Sequence, residues 1–232
     1  MTTQRPISLF TLRAISFSLC LLISMAAIPA NAKKQKGGEK KDSTALFQGI
    51  AVSADLVGVG QMLFGSYGQY EAAVRINLKD KYFPVIEAGL GKANAEDIAT
   101  QLSYQSSAPY GRIGLDFNVM KNKHDDYRLY IGGRYAFSAF KYDISGPTLK
   151  DPVWGDEMAF EQAGNSATCH WLELVGGIDA KIWRFIRLGW SFRYKCRLFH
   201  TDAAIGTPWY IPGYGRNGGT RLGATFNVIF EL

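Results

Sequence analysis

Eight segments of this chain alternate large apolar residues with charged or small polar ones at a spacing of two: 48–59, 69–78, 83–91, 110–120, 127–138, 171–182, 186–197 and 221–232. In the last of them Leu222, Ala224, Phe226, Val228, Phe230 and Leu232 share one parity, and Arg221, Thr225, Asn227 and Glu231 share the other. Side chains of a strand point to opposite faces with period two, so each segment predicts a ribbon with one apolar and one charged face. The connections alternate as well. Those at 79–82, 121–126 and 183–185 are short, whereas 60–68, 92–109, 139–170 and 198–220 are long and mostly polar. Strict alternation of short and long links predicts an all-β, eight-stranded antiparallel up-and-down β-barrel, with tight turns at one end and long loops at the other.

Two barrels fit that pattern. A soluble, lipocalin-like barrel turns the apolar parity inward, whereas a transmembrane barrel turns it to lipid. Each apolar face runs five or six residues, close to the ~9–11-residue tilted strand that crosses a bilayer. Aromatic residues gather at the strand ends as two girdles would require: Tyr82, Phe83, Tyr127, Trp183, Phe185 and Phe230 at the short turns, and Tyr70, Tyr110, Phe137, Trp171 and Tyr194 at the long loops. The transmembrane reading is therefore preferred. It sends inward seven acids (Asp55, Glu71, Glu87, Asp116, Glu173, Asp179, Glu231) and nine bases (Arg75, Arg112, Arg128, Arg134, Lys181, Arg187, Arg193, Lys195, Arg221). Eight strands leave a lumen just wide enough for side chains, and a near-balanced lining there predicts paired, plugging networks rather than an ion path. Asn118 lies on the same inward parity and is expected to tolerate serine.

Residues 1–32 read as a secretory signal peptide, with Arg5 and Arg13 ahead of the apolar run 14–25 and Ala30-Asn31-Ala32 as the cleavage site. The 33–46 stretch, carrying five lysines, reads as a flexible basic periplasmic leader, and 47–232 as the barrel. The signal peptide holds two of the 26 bases and none of the 20 acids, so the mature chain is 24 − 20 = +4. That mild charge, with no basic helical stripe, speaks against nucleic-acid binding.

The signal peptide, the eight alternating strands and the terminal strand together resemble the small OmpA/OmpX-type outer-membrane barrels of Gram-negative bacteria. The stretches Tyr130-Ile131-Gly132-Gly133-Arg134-Tyr135-Ala136-Phe137-Ser138 and Trp190-Ser191-Phe192-Arg193-Tyr194-Lys195 are similar to a porin-like family of unknown function. The resemblance implies a monomer in the cell outer membrane, with outer-membrane lipids and the barrel-assembly machinery as partners. One departure stands out: such barrels typically end in an aromatic residue, and this chain ends in Leu232, with Phe230 two positions earlier.

Candidate chemistry is sparse. His124 falls in a short turn, while His170 and His200 flank long loops, with Ser166 four residues before His170. No H-x-S spacing or metal-ligand spacing appears, so no catalytic residue, metal or cofactor is expected, and a rim lipid A-modifying enzyme is the weakest alternative. Cys169 and Cys196 approach one another at the outer end of a hairpin. A regular register points them to opposite faces, and only a distorted rim permits the disulfide. Trp154, Trp209, Tyr210 and Tyr214 in the long loops either hold an extracellular ligand or pack over the barrel mouth. The expected role is non-enzymatic, either envelope-structural or surface interaction through the loops. A narrow porin-like channel for small solutes is the alternative.

Overall fold

The computed structural model describes residues 45–150, 154–155, 157–201 and 207–232. The signal segment 1–32 and the leader as far as residue 44 lie outside the described residues. Among them, eight long strands form one closed sheet: β1 Phe47–Asp55, β2 Tyr67–Leu78, β3 Tyr82–Glu96, β4 Ser103–Asn118, β5 Tyr127–Ser145, β6 Glu161–Trp183, β7 Ile186–Thr201 and β8 Thr220–Glu231. Each pairs antiparallel with its neighbour in sequence, and β8 closes on β1 through pairs such as Val52 with Phe230. The expected eight-stranded, antiparallel, up-and-down barrel is the observed one. Tight turns mark one end, termed the inner end, with the long connections at the other, outer end. Between β2 and β3 Lys79 and Asp80 take left-handed backbone and Asn77 Oδ1 accepts the Asp80 N–H at 2.9 Å.

The two parities separate as the alternation requires. Ile86, Ile113, Ile131, Leu174, Ile178, Trp190 and Phe192 stand exposed on the outside, while Glu87, Arg112, Asp116, Arg134, Glu173, Asp179 and Arg193 are buried inside. An apolar exterior around a charged, hydrogen-bonded interior is what a bilayer demands of a closed sheet.

Toward the outer end this polarity reverses. On β5 the exposed positions change from Leu129, Ile131, Tyr135 and Phe137 to Lys141, Asp143 and Ser145, while the inward ones change from Arg128 and Arg134 to Phe140 and Tyr142. On β4 the outer positions Gln105 and Ser107 are exposed, with Tyr104 and Ala108 turned inward. Residues 92–109 and 139–170, expected as loops, are therefore largely strand. Strands that rise above hydrocarbon into water must exchange faces, and an apolar aromatic core then fills the outer part of the barrel.

The same geometry corrects the girdles. Tyr82, Tyr127, Trp183, Phe185, Phe230, Tyr70, Phe137 and Tyr194 are exposed as expected, but Phe83, Tyr110 and Trp171 lie on the inward parity and are buried. Proximity to a strand end does not decide the face; parity does.

The first strand also ends sooner than its alternation suggests. Residues Leu56–Phe64 form a helix, α1, capped by the Asp55 carboxylate, which accepts the Val57 N–H at 3.0 Å and the Gly58 N–H at 3.1 Å. An aspartate ahead of an apolar run is an N-cap signal that a period-two reading overlooks. Helix α1 lies against the outward face of β2, where a side chain at Gly68 would stand 2.4 Å from the Met62 backbone nitrogen. Leu63 and Phe64 at its end are exposed.

Candidate functional site

The lumen holds one unbroken series of ion pairs from the outer end to the inner end. At the top, Lys195 Nζ lies 4.0 Å from Glu173, which sits 2.9 Å from Arg112 Nε. Arg112 also contacts Glu71 and, at 3.1 Å, Glu87. Arg193 reaches the same three carboxylates, Glu71 at 2.9 Å, Glu87 at 2.8 Å and Glu173 at 3.6 Å. Below this cluster, Glu87 meets Arg134 at 3.1 Å, and Arg134 meets Asp116 at 2.6 Å in a two-pronged contact. Asp116 then meets Arg75 at 3.3 Å, and Arg75 meets Asp179 at 3.2 Å. Arg187 links Asp179 at 2.7 Å to Glu231 at 3.4 Å, and Arg128 links Glu231 at 2.7 Å to Asp80 at 3.4 Å.

These partners come from seven of the eight strands, so the pairs tie opposite walls together. The charges alternate in sign along the axis, which offers a permeating ion no stretch of one potential. Between Glu87, Arg134 and Arg193 the remaining void is about 10 Å³, room for one water molecule.

Some predicted lumen charges sit elsewhere. Asp55 is buried but caps α1 and accepts the Phe226 N–H at 3.2 Å instead of joining an ion pair. Lys181 is at the inner end, 3.9 Å from Glu231, and half-exposed. Arg221 bends over the outer rim to donate to the carbonyls of Arg216 and Asn217 at 2.7 and 2.6 Å. Asp80, a turn residue absent from the predicted lining, completes the series and also meets His124 Nδ1 at 2.7 Å. Burial works to raise the Asp80 carboxyl, but hydrogen bonds from Asn77 and His124 and the charge of Arg128 hold it below its ordinary value.

Above the ion pairs, the β7–β8 connection enters the barrel as a plug. Tyr210, Ile211 and Tyr214 are almost wholly buried there. Gly213 turns the plug at φ +79°, and a side chain at that position would stand 2.5 Å from the Tyr110 ring. Its carbonyl oxygen accepts from Lys195 Nζ at 2.6 Å and from Arg112 Nη2 at 2.8 Å, joining the plug to the charges beneath it. Tyr104 OH donates to the Tyr210 carbonyl at 2.7 Å, and Tyr210 OH to that of Gly68 at 3.2 Å. Burial pushes the Tyr214 phenol up to about 12, so it is neutral at physiological pH. Of the loop aromatics singled out in the sequence, Trp209, Tyr210 and Tyr214 pack at the mouth, whereas Trp154 is exposed.

No disulfide joins Cys169 and Cys196. Cys196 pairs with Leu172 on the outward parity, and Cys169 pairs with His200 and is buried within the barrel, so the wall of the sheet separates the thiols. His170 is on the outside of β6, within 2.8 Å of Tyr135 OH and stacked on Phe137. Among the described residues, no group of three or more His, Cys, Asp or Glu side chains is placed to hold a metal ion.

Closure, parity and the charged interior define the class: an eight-stranded antiparallel barrel of the transmembrane kind. Residues 12–231 match the family described as "Domain of unknown function (DUF6048)", and the chain belongs to that family. No curated protein matches it. Among solved structures, it is similar to the N-terminal β-barrel domain of Pseudomonas aeruginosa OprF, with a TM-score of 0.38 and 11% identity over 80% of this chain and 99% of that one. It is also similar to Ail, the attachment invasion locus protein of Yersinia pestis, solved with the heparin analogue sucrose octasulfate, with a TM-score of 0.37 and 9% identity over 79% and 93% of the two chains.

Proposed function

We propose that this protein is a closed, non-enzymatic barrel of the outer membrane, with an envelope-structural or surface-interaction role exercised through its outer loops. The observation that carries this reading is the continuous run of opposed charges through the lumen, with the 209–214 plug bonded to its upper end. Desolvated charges of both signs at contact distance fill the space a solute would need, and separating them costs several kcal/mol per pair. The surface role draws support from Ile98, Trp154 and Met158, large apolar side chains that the outer connections leave exposed.

Planar-bilayer recording of the full-length mature protein distinguishes this from a small-solute channel. The expected trace is flat. It should remain flat when residues 209–214 are replaced by a short Gly-Ser link, because the ion pairs below the plug still occlude the lumen. Reproducible open-state steps in the unaltered protein would overturn the closed-barrel reading.

A further inference from the structure

The outer rim carries two cations unlike those inside. Lys92 on β3 and Lys141 on β5 are exposed on the outward face, and among the described residues neither forms an ion pair with a carboxylate. They occupy one row. Lys92 lies opposite Ser107 and Lys141 opposite Ser166, while the pairing of Ser106 with Tyr142 brings Ser107 beside Lys141. Directly beneath this row the belt is apolar, with Leu90 opposite Pro109. Directly above it are polar groups, with Asn94 opposite Gln105 and Gln105 opposite the Asp143 carboxylate. The two lysines therefore stand where the outward face changes from apolar to polar.

The row is the floor of a groove of about 630 Å³, walled on one side by Met62 of α1 and by Gly65 and Ser66 just beyond the helix. Among the described residues Asp143 is the one carboxylate lining it, and its Oδ1 is taken up by the Gly164 N–H at 2.6 Å. Below the groove, Leu90, Ile86 and Ile113 continue as exposed apolar surface, and Phe64 projects from the helix beside it. The site is thus amphiphilic along the barrel axis: hydrocarbon contact, then the two cations with the Ser107 hydroxyl between them, then the Asn94 and Gln105 amides beside the Asp143 carboxylate that the Gly164 N–H engages.

We propose that this groove binds the headgroup of a phosphorylated glycolipid in the outer leaflet. Lysine ammonium groups supply the counter-charge for phosphate, and they sit at the depth where a lipid phosphate lies above its acyl chains. The lysines belong to strands two spacings apart, ~9–10 Å at the backbone, so the pair suits a wide headgroup. The groove's volume and its Asn94, Gln105 and Ser107 side chains suit sugar hydroxyls better than a compact glycerophosphate. This inference rests on the membrane reading given above.

The test uses the mature chain folded in zwitterionic micelles, with folding confirmed by heat-dependent gel mobility. Native mass spectrometry follows titration with bis-phosphorylated lipid A, dephosphorylated lipid A, phosphatidylglycerol or inorganic phosphate. Bis-phosphorylated lipid A should form a one-to-one complex, and Lys92→Glu and Lys141→Glu should each weaken it about tenfold. Lys121→Glu, an exposed lysine at the opposite end, should leave it unchanged. Dephosphorylated lipid A and phosphatidylglycerol should bind no better than bis-phosphorylated lipid A binds to the charge-reversed variants, and millimolar inorganic phosphate should not compete. Equal binding by Lys92→Glu and Lys141→Glu, by phosphatidylglycerol or by dephosphorylated lipid A would overturn the proposal, as would displacement by inorganic phosphate. Failure of the chain to enter micelles as a heat-modifiable barrel would instead overturn the membrane reading beneath it.

Discussion

Glu87→Gln is expected to destabilise the folded barrel by about 3–5 kcal/mol, the usual cost of breaking a buried ion pair by removing one partner. Glu87 lies almost wholly buried on β3. Its Oε1 accepts from Arg134 Nε at 3.1 Å, while Oε2 accepts from Arg193 Nη1 at 2.8 Å and Arg112 Nη1 at 3.1 Å. Three guanidinium groups from three strands thus converge on one carboxylate. The amide keeps the shape but removes the charge, and its NH₂ group turns a donor toward donors. Glu231 at the inner end is partly exposed, with 24% side-chain accessibility, so Glu231→Gln should cost visibly less because water screens what remains. Urea midpoints of both variants in lipid vesicles check this. Equal, sub-kilocalorie effects would mean that the lumen is wet enough to solvate its charges separately.

Leu115→Arg should cost about 2–4 kcal/mol, the penalty for an arginine facing lipid near the bilayer midplane. Leu115 is on the outward parity of β4, opposite Pro84 of β3 and Gly133 of β5, between exposed Ile113 and Phe117. Gln105→Arg, on the same face of the same strand but above the reversal of polarity, should cost under about 1 kcal/mol. The contrast within one strand separates depth from any general intolerance of arginine. Asn118 does not serve as the mild comparison its parity suggested. It is buried, donates to the Asp80 carbonyl at 3.0 Å and accepts the Met120 N–H at 3.0 Å, so serine there would release the inner turn. Denaturant titrations of Leu115→Arg and Gln105→Arg in the same vesicles supply the measurement.

What could be read from the sequence was whatever lipid enforces. Between the two interfaces each strand must hide its charges, so parity alone located Glu87, Arg112, Asp116, Arg134 and Arg193 on the inside. Above the membrane that rule lapses. Tyr104, Phe140 and Tyr142 turn inward there because the exterior is water, and a pattern search tuned to one polarity sees the reversed stretch as loop. Helix α1 escaped for a related reason: Ala54, Asp55 and Leu56 continue the alternation into the cap, and only the Asp55 carboxylate at the head of an apolar run marks the change.

The ladder's connectivity was also beyond a one-dimensional reading. Which carboxylate Arg112 meets depends on residues up to 61 positions away, brought together by barrel closure and stagger. The same holds for the plug. Trp209 and Tyr210 read as loop aromatics, but their burial depends on Gly213 and on the cations Lys195 and Arg112 offered to its carbonyl.

The most direct test of the outward-apolar, inward-paired arrangement is fluorescence quenching of single-tryptophan variants in vesicles with brominated acyl chains. Trp190 stands exposed on the outer face of β7, whereas Trp171 is buried in the interior, donating to Glu173 Oε1 at 2.7 Å. The prediction is strong quenching of a variant retaining only Trp190 and little or none of one retaining only Trp171. Quenching of Trp171 by the brominated chains, with Trp190 reached instead by aqueous iodide, would contradict it.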